Sequence, residues 1–271
     1  ALDIPSMFDA EDYHRGEQDA MSMHSRQVTT LENHFIPKLS AMTAASPMIG
    51  EAYSKLYPEV TITTINNTFP KNQLRPISPS HAGPLRMVWF SQVVGLDRGL
   101  EPFLRGMSLA TDIPLELSII GQCPPDIKNK LQSNRIAYKH TVHFKEPMNE
   151  RNLFAYLRNM EIGLALEPGF SQNNLLARSN KIYNYVVAGC FTIFSSTPAQ
   201  VDFLRTYPTT GIEVNLNSPE SVQSALTIIW SHRKKLHERR MSIWSLGQNQ
   251  LNWDTESKVL LHAVREFLNS K

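Results

Sequence analysis

The residues of this chain best placed to do chemistry are Ser179, Asn180 and Lys181, at the start of a helical pattern that follows a long polar loop. Free backbone N–H groups at a helix N-terminus, together with an ammonium group, make a natural phosphate site. The same Ser and Asn also suit plain helix capping, and the two roles are compatible. A second cation, Arg98, precedes Gly99 at another helix start, where a guanidinium can neutralise a diphosphate. Its alternative is an exposed surface arginine. Asn184 lies one turn beyond Lys181 and so shares its face. Glu167 closes the apolar run IGLAL. Both are therefore expected to border one pocket with Arg98; the alternative is a solvated acid and a surface amide.

Elements that alternate between strand and helix must position these groups. Continuous apolar or β-branched runs mark strands at residues 60–65, 85–90, 115–120, 162–166, 191–194 and 212–214. An extended stretch covers 136–144. Helical patterns cover 100–109, 126–132, 151–158, 181–188, 198–205, 219–236 and 253–267. Gly189 stands where a C-cap glycine belongs. Upstream, 9–35 reads as one polar helix capped by Asp9 or Asp12, and Ser46 caps a short helix that begins at Pro47. Residues 71–84, rich in Pro and Ser, read as a linker. The alternation predicts a doubly wound parallel α/β sheet, Rossmann-like, over residues 85–250. Ligands of such a sheet bind at the carboxyl ends of its strands, so residues 91–99, 121–125, 144–147, 167–181 and 195–197 are the loops of interest.

Composition narrows the function. With 271 residues, 41% apolar and 19% charged, the chain can bury a full core. A net charge of +2 is too mild to imply nucleic acid. Residues 91–99 lack both G-x-G-x-x-G and G-x-x-x-x-G-K-[ST], which weighs against NAD enzymes and phosphate-loop NTPases. Cys123 and Cys190 fit no metal spacing and suit a reducing, cytoplasmic setting; the scattered histidines offer no metal site. No signal peptide or membrane span is legible. The basic run HRKKLHERR (232–240) reads as a solvated helix face, with contact at an anionic membrane surface as the alternative. The four tryptophans fall at core-like positions.

The stretch SNKIYNYVVAGCFTIFSS resembles the donor-site segment of GT-B glycosyltransferases, in the manner of the retaining family-four enzymes. LRMVWFSQ and LDRGLEPFL are similar to the first strand, loop and basic-Gly helix start of that domain. LELSIIG is similar to its second strand with terminal Gly121, and YKHTVHFKEP to its base-binding strand and loop. The segments around LSAMTAASPMIGEAY and ITTINNTFP are similar to the end of the preceding domain. The resemblance implies residues 1–70 as a remnant of an acceptor-binding domain whose remainder lies elsewhere in the parent chain, 71–84 as linker, 85–250 as nucleotide-sugar domain, and 251–271 as a helix packing back toward the first part. It implies transfer of a sugar from a UDP- or GDP-type donor to a glycan or lipid-linked acceptor, with no further cofactor. Arg98, Lys181 and Glu167 take the catalytic places. Ser91, Gln92, Gly121, Phe144, Lys145, Ser179, Asn180 and Asn184 take the donor-binding ones. Two departures stand out: Gln92 occupies a place often basic, and Leu176 and Asn184 stand where many members carry two Glu eight positions apart. A non-catalytic binding module and a sugar-nucleotide epimerase of the same fold remain the alternatives.

Overall fold

The computed structural model of the chain describes residues 6–79, 82–133 and 140–269. Its first part is β1 (Met7–Ala10), α1 (Met23–Phe35), β2 (Ala41–Ala44), α2 (Pro47–Leu56) and β3 (Thr61–Thr64). The second opens with β4 (Leu85–Val93), α3 (Leu100–Leu109), β5 (Leu115–Gln122), α4 (Pro125–Ser133), β6 (Thr141–Lys145) and α5 (Glu150–Leu157). It continues with β7 (Ile162–Ala165), α6 (Gln172–Leu176), α7 (Asn180–Ala188), β8 (Phe191–Ser195), α8 (Pro198–Thr206) and β9 (Gly211–Val214). It closes with α9 (Pro219–Ser231), α10 (Arg233–Asn249) and α11 (Trp253–Asn269). No helix among the described residues is long and apolar enough to cross a membrane.

Two parallel sheets result. The first runs β1-β2-β3 and the second β6-β5-β4-β7-β8-β9. Strands β7 and β8 are buried along their whole length, as apolar runs covered on both faces must be. Alternation along β4 divides the core. Met87 and Trp89 join the cluster of Phe103, Leu104 and Leu226, while Val88 faces Phe154, Leu157 and Tyr185. The first sheet packs Met42 and Ala44 on Ile49, Tyr53 and Tyr57.

Several expectations need correction. Residues 9–35 are not one helix. Asp9 lies in β1, where its Oδ1 accepts the Thr43 hydroxyl at 2.5 Å, and α1 is capped by Ser22, whose Oγ accepts from Ser25 N–H at 3.1 Å. Pairing with β2, a contact 34 residues away, overrides local helix propensity. The helix expected over 219–236 breaks at His232, which has φ −100° and ψ 11°. The basic run is only partly a solvated face, because Arg233 and Arg240 are buried. Trp253 is no core residue, being 39% exposed. Residues 136–139, part of the stretch expected to be extended, lie outside the described residues. The proline-rich segment has no regular element among its described residues, yet it is pinned: Trp244 Nε1 donates to Asn72 O (3.2 Å) and Arg240 Nη1 to Ile77 O (2.7 Å). Gly189 does cap α7, in the left-handed region at φ 68°.

Arg233 explains why the basic run turns inward. Its Nε and Nη2 grip the fully buried Glu161 at 2.9 and 2.8 Å, and its Nη groups also donate to the Gly83 and Pro84 carbonyls. Removing one member of such a pair strands a buried charge, at a cost of roughly 3–5 kcal/mol. Arg233→Ala is therefore expected to lower the unfolding free energy in urea by about that amount, whereas Lys234→Ala, on the exposed side, changes it by less than about 0.5 kcal/mol.

Candidate functional site

In the second sheet the chain runs outward from β4 to β5 and β6, then returns to lay β7 on the other side of β4. That reversal is a topological switch point, and it leaves a crevice beyond the carboxyl ends of β4 and β7. Arg98 follows β4 and Glu167 follows β7. The two ends are held together by Gly99, which opens α3 at φ 73°, where an added Cβ would lie 2.2 Å from the Leu166 carbonyl oxygen. Only glycine permits both that φ and that approach.

The segment 167–181 is a folded connection rather than an open loop. Ser171 caps α6 through Asn174 N–H, and Asn174 in turn donates to Glu167 Oε2 at 3.2 Å. Lys181 Nζ lies 3.3 Å from Glu167 Oε1 and 5.5 Å from the centre of the Trp89 ring. Burial pushes the Glu167 carboxyl up, but the Lys181 charge and hydrogen bonds from Ser179, Lys181 and Asn174 outweigh it and hold it below its usual range. Ser179 makes no side-chain capping bond, so the first N–H groups of α7 have no side-chain cap at that position. The simple-cap reading of Ser179 is thereby corrected.

A cleft of about 300 Å³ is lined by Arg98, Glu167, Ser179, Asn180 and Lys181, with Glu11 and Asp12 on the wall supplied by the first part. Arg98 is 47% exposed and has Asp97 at 3.7 Å. The same cleft contains a cation that the sequence reading missed, Arg178. Its Nη2 donates to Asp202 Oδ2 (2.8 Å), its Nη1 to Asn66 Oδ1 (3.3 Å), and its Nε has no hydrogen-bond partner. Burial opposes its charge, and contacts with Tyr183 and Asp202 more than restore it. The one available signal was a third cation one turn before Lys181. The acids opposite had no signal, because they arrive from the first sheet.

A second cleft, of about 370 Å³, is lined by Phe69, Phe90, Ser91, Gln92, Ile120 and Asn184, and Asn180 and Lys181 form part of its wall as well as of the first. The expectation that Asn184 shares one pocket with Arg98 and Glu167 is thus corrected to two clefts joined at the start of α7. Asn184 is buried and its Nδ2 returns to Asn180 O at 3.1 Å within the helix. Ser91 and Gln92 belong to β4, not to a loop, because β4 continues beside β5 through a register irregularity. Gly121 lines neither cleft. An added Cβ there would lie 2.4 Å from the Ser91 carbonyl oxygen, so it serves strand approach. Phe144 and Lys145 end the edge strand β6, with Lys128 over the Phe144 ring and Lys145 over that of Tyr156.

No protein-family model matches the sequence, and no curated protein sequence matches it. Solved structures do match its fold. Sucrose-phosphate synthase from Thermosynechococcus elongatus superposes with a TM-score of 0.73 and 14% identity, over 93% of this chain and 64% of that one. HepE from Anabaena, in complex with UDP and glucose, gives 0.74 and 14%, over 97% of this chain and 72% of that one. The UDP-forming α,α-trehalose-phosphate synthase from Burkholderia vietnamiensis gives 0.67 and 12%, over 99% and 68%. The fold is that of the GT-B glycosyltransferases. The chain spans about two thirds of the length of these GT-B proteins.

The ion pair in this GT-B crevice carries a pH signature. Because the folded carboxyl of Glu167 titrates below its ordinary 4.5, its contribution to stability is complete above that value and is lost as pH falls through the depressed one. The difference in unfolding free energy between wild type and Glu167→Gln, measured in urea, is expected to be larger at about pH 7 than at about pH 3. An equal difference at both would show that Lys181 does not hold the carboxylate.

Proposed function

We propose that this chain is the nucleotide-sugar-binding portion of a glycosyltransferase that moves a sugar from a nucleoside-diphosphate donor to a glycan or lipid-linked acceptor. The observation that carries the reading is the convergence of Arg98, Arg178, Lys181 and the N-terminus of α7 on one cleft at the switch point. Such a place favours a diphosphate twice over, through side-chain cations and through aligned backbone N–H groups. The adjoining cleft, with Phe69, Phe90 and Ile120 in its walls, suits the nucleoside, leaving the diphosphate to cross Asn180 and Lys181. HepE bound to UDP and glucose supports the same reading by likeness of fold.

In this reaction the protein's main work is electrostatic: fixed cations stabilise the charge that builds on the departing diphosphate. Arg98 and Lys181 take that role here, and Glu167 sets the orientation of Lys181. Residues 71–84 act as the linker between an acceptor-side portion and the donor-binding portion. A second reading, binding without turnover, draws on Asn184, which stands where a carboxylate is common and spends its amide inside its own helix. Release of free sugar from a donor by the chain or its parent protein would exclude that second reading.

Titration calorimetry with UDP and GDP tests the main proposal. Binding of at least one is expected, weakened roughly tenfold or more by Arg98→Ala and by Lys181→Ala, since a charge-assisted hydrogen bond contributes about 1.5–3 kcal/mol. Affinity unchanged in both variants would remove these residues from the site and the proposal with them.

A further inference from the structure

A third cleft, of about 530 Å³, opens beside the diphosphate cleft, and Glu11 and Ala45 line both. Its walls come from β1, from the ends of β2 and β3 and the residues after them, and from Trp253 and Leu260 of α11. Asp9, Glu11, Thr43, Asn66, Asn67 and Trp253 supply the polar and aromatic groups. Trp253 belongs to none of the apolar core clusters among the described residues. The other described tryptophans are buried or half-buried, whereas Trp253 is 39% exposed, and its backbone N–H is fixed to Phe69 O at 2.9 Å. A half-exposed aromatic face held by a rigid backbone is a platform for the C–H face of a ring.

The polar groups around it are preorganised. Asn66 is locked by Glu256, Tyr183 and Arg178. Asp9 Oδ1 accepts from Thr43, and Glu11 Oε1 accepts from Asn67 Nδ2 at 3.2 Å. Each carboxylate thus spends one interaction on a neutral donor, and its remaining lone pairs suit hydroxyl or ammonium donors. Among the described residues, the lining carries no Lys, Arg or His. Arg98, Arg178 and Lys181 line the first cleft, and Arg178 also reaches Asn66 of the third through its Nη1 at 3.3 Å. The first cleft thus sets three cations against its acids, whereas the charged groups lining the third are the carboxylates of Asp9 and Glu11, which disfavour an anion there.

We propose that this third cleft receives the acceptor as an uncharged or amine-bearing sugar ring stacked on Trp253, and that Asp9 and Glu11 exclude acceptors carrying phosphate or carboxylate at that ring. The proposal rests on the glycosyl-transfer reading for the word acceptor, but the binding it asserts is independently measurable.

The test uses the whole chain with UDP present and follows binding of methyl glucoside, glucosamine and glucose 6-phosphate by saturation-transfer NMR, with tryptophan fluorescence alongside. Methyl glucoside and glucosamine are expected to bind, and glucose 6-phosphate to bind at least about tenfold more weakly. Trp253→Ala should abolish saccharide binding and leave UDP affinity unchanged. The double variant Asp9→Asn, Glu11→Gln should narrow the preference against glucose 6-phosphate while keeping methyl glucoside. Equal or tighter binding of glucose 6-phosphate to wild type, saccharide signals that persist in Trp253→Ala, or no saccharide binding to the UDP-loaded chain would each overturn the proposal. Loss of UDP binding alone, with Trp253-dependent saccharide binding intact, would sink the donor-site reading and leave this one standing.

Discussion

Asn66 is the joint on which the site depends. Its backbone N–H and Nδ2 both donate to the Glu256 carboxylate, and its Oδ1 accepts from the Tyr183 hydroxyl at 2.7 Å and from Arg178. One side chain thereby fastens the end of β3 to α7, to the loop before α7, and to α11. An aspartate could not do this, because it would lose the Nδ2 donor and set a second carboxylate against Glu256. The joint fixes where the first sheet stands relative to the second. It therefore fixes Glu11 and Asp12 opposite the cations of the cleft at the start of α7.

Further contacts across the same boundary keep that geometry. Asn173 accepts from Tyr13 N–H and donates to Asp12, each at 2.8 Å, and the Ser46 hydroxyl donates to Leu176 O at 2.7 Å. The connection between β7 and α7 is thus held from the first sheet while it carries Glu167, Arg178 and Lys181. An anion arriving at the start of α7 must share Lys181 with Glu167, which stays ionised because that ammonium is 3.3 Å away. Electrostatics at the site are consequently set by contacts between the two sheets as much as by the residues lining the cleft.

The opposite end of the second sheet is built for rigidity. Arg233 ties Glu161, just before β7, to the carbonyls of Gly83 and Pro84, just before β4. Glu161 Oε2 also accepts from the Arg86 backbone N–H at 3.1 Å. Arg240, fully buried, donates to the carbonyls of Gly189, Ile77 and Arg158. These interactions clamp the amino ends of the two strands that flank the switch point. Their carboxyl ends remain free to carry a crevice, so the buried charge ties and the crevice lie at opposite ends of one sheet.

The alternation of strand and helix was legible in the sequence because it rests on local signals. The apolar run IGLAL, the periodic helix at 100–109, the Ser46-Pro47 helix start and the Gly189 cap each depend on residues within a turn or a strand. Arg98, Glu167 and Lys181 could be singled out for the same reason, since strand ends and helix starts locate the crevice. Only the tertiary structure decided that residues 7–10 pair as a strand, that Arg233 and Arg240 turn inward, and that Trp253 remains outside the core. It alone brought Arg178 together with Asn66, Asp202 and the acids of the first sheet, and divided the expected pocket at Asn180 and Lys181. Each of these depends on a partner distant in the chain, and residue type carries no record of which distant group will satisfy a buried charge or an open strand edge.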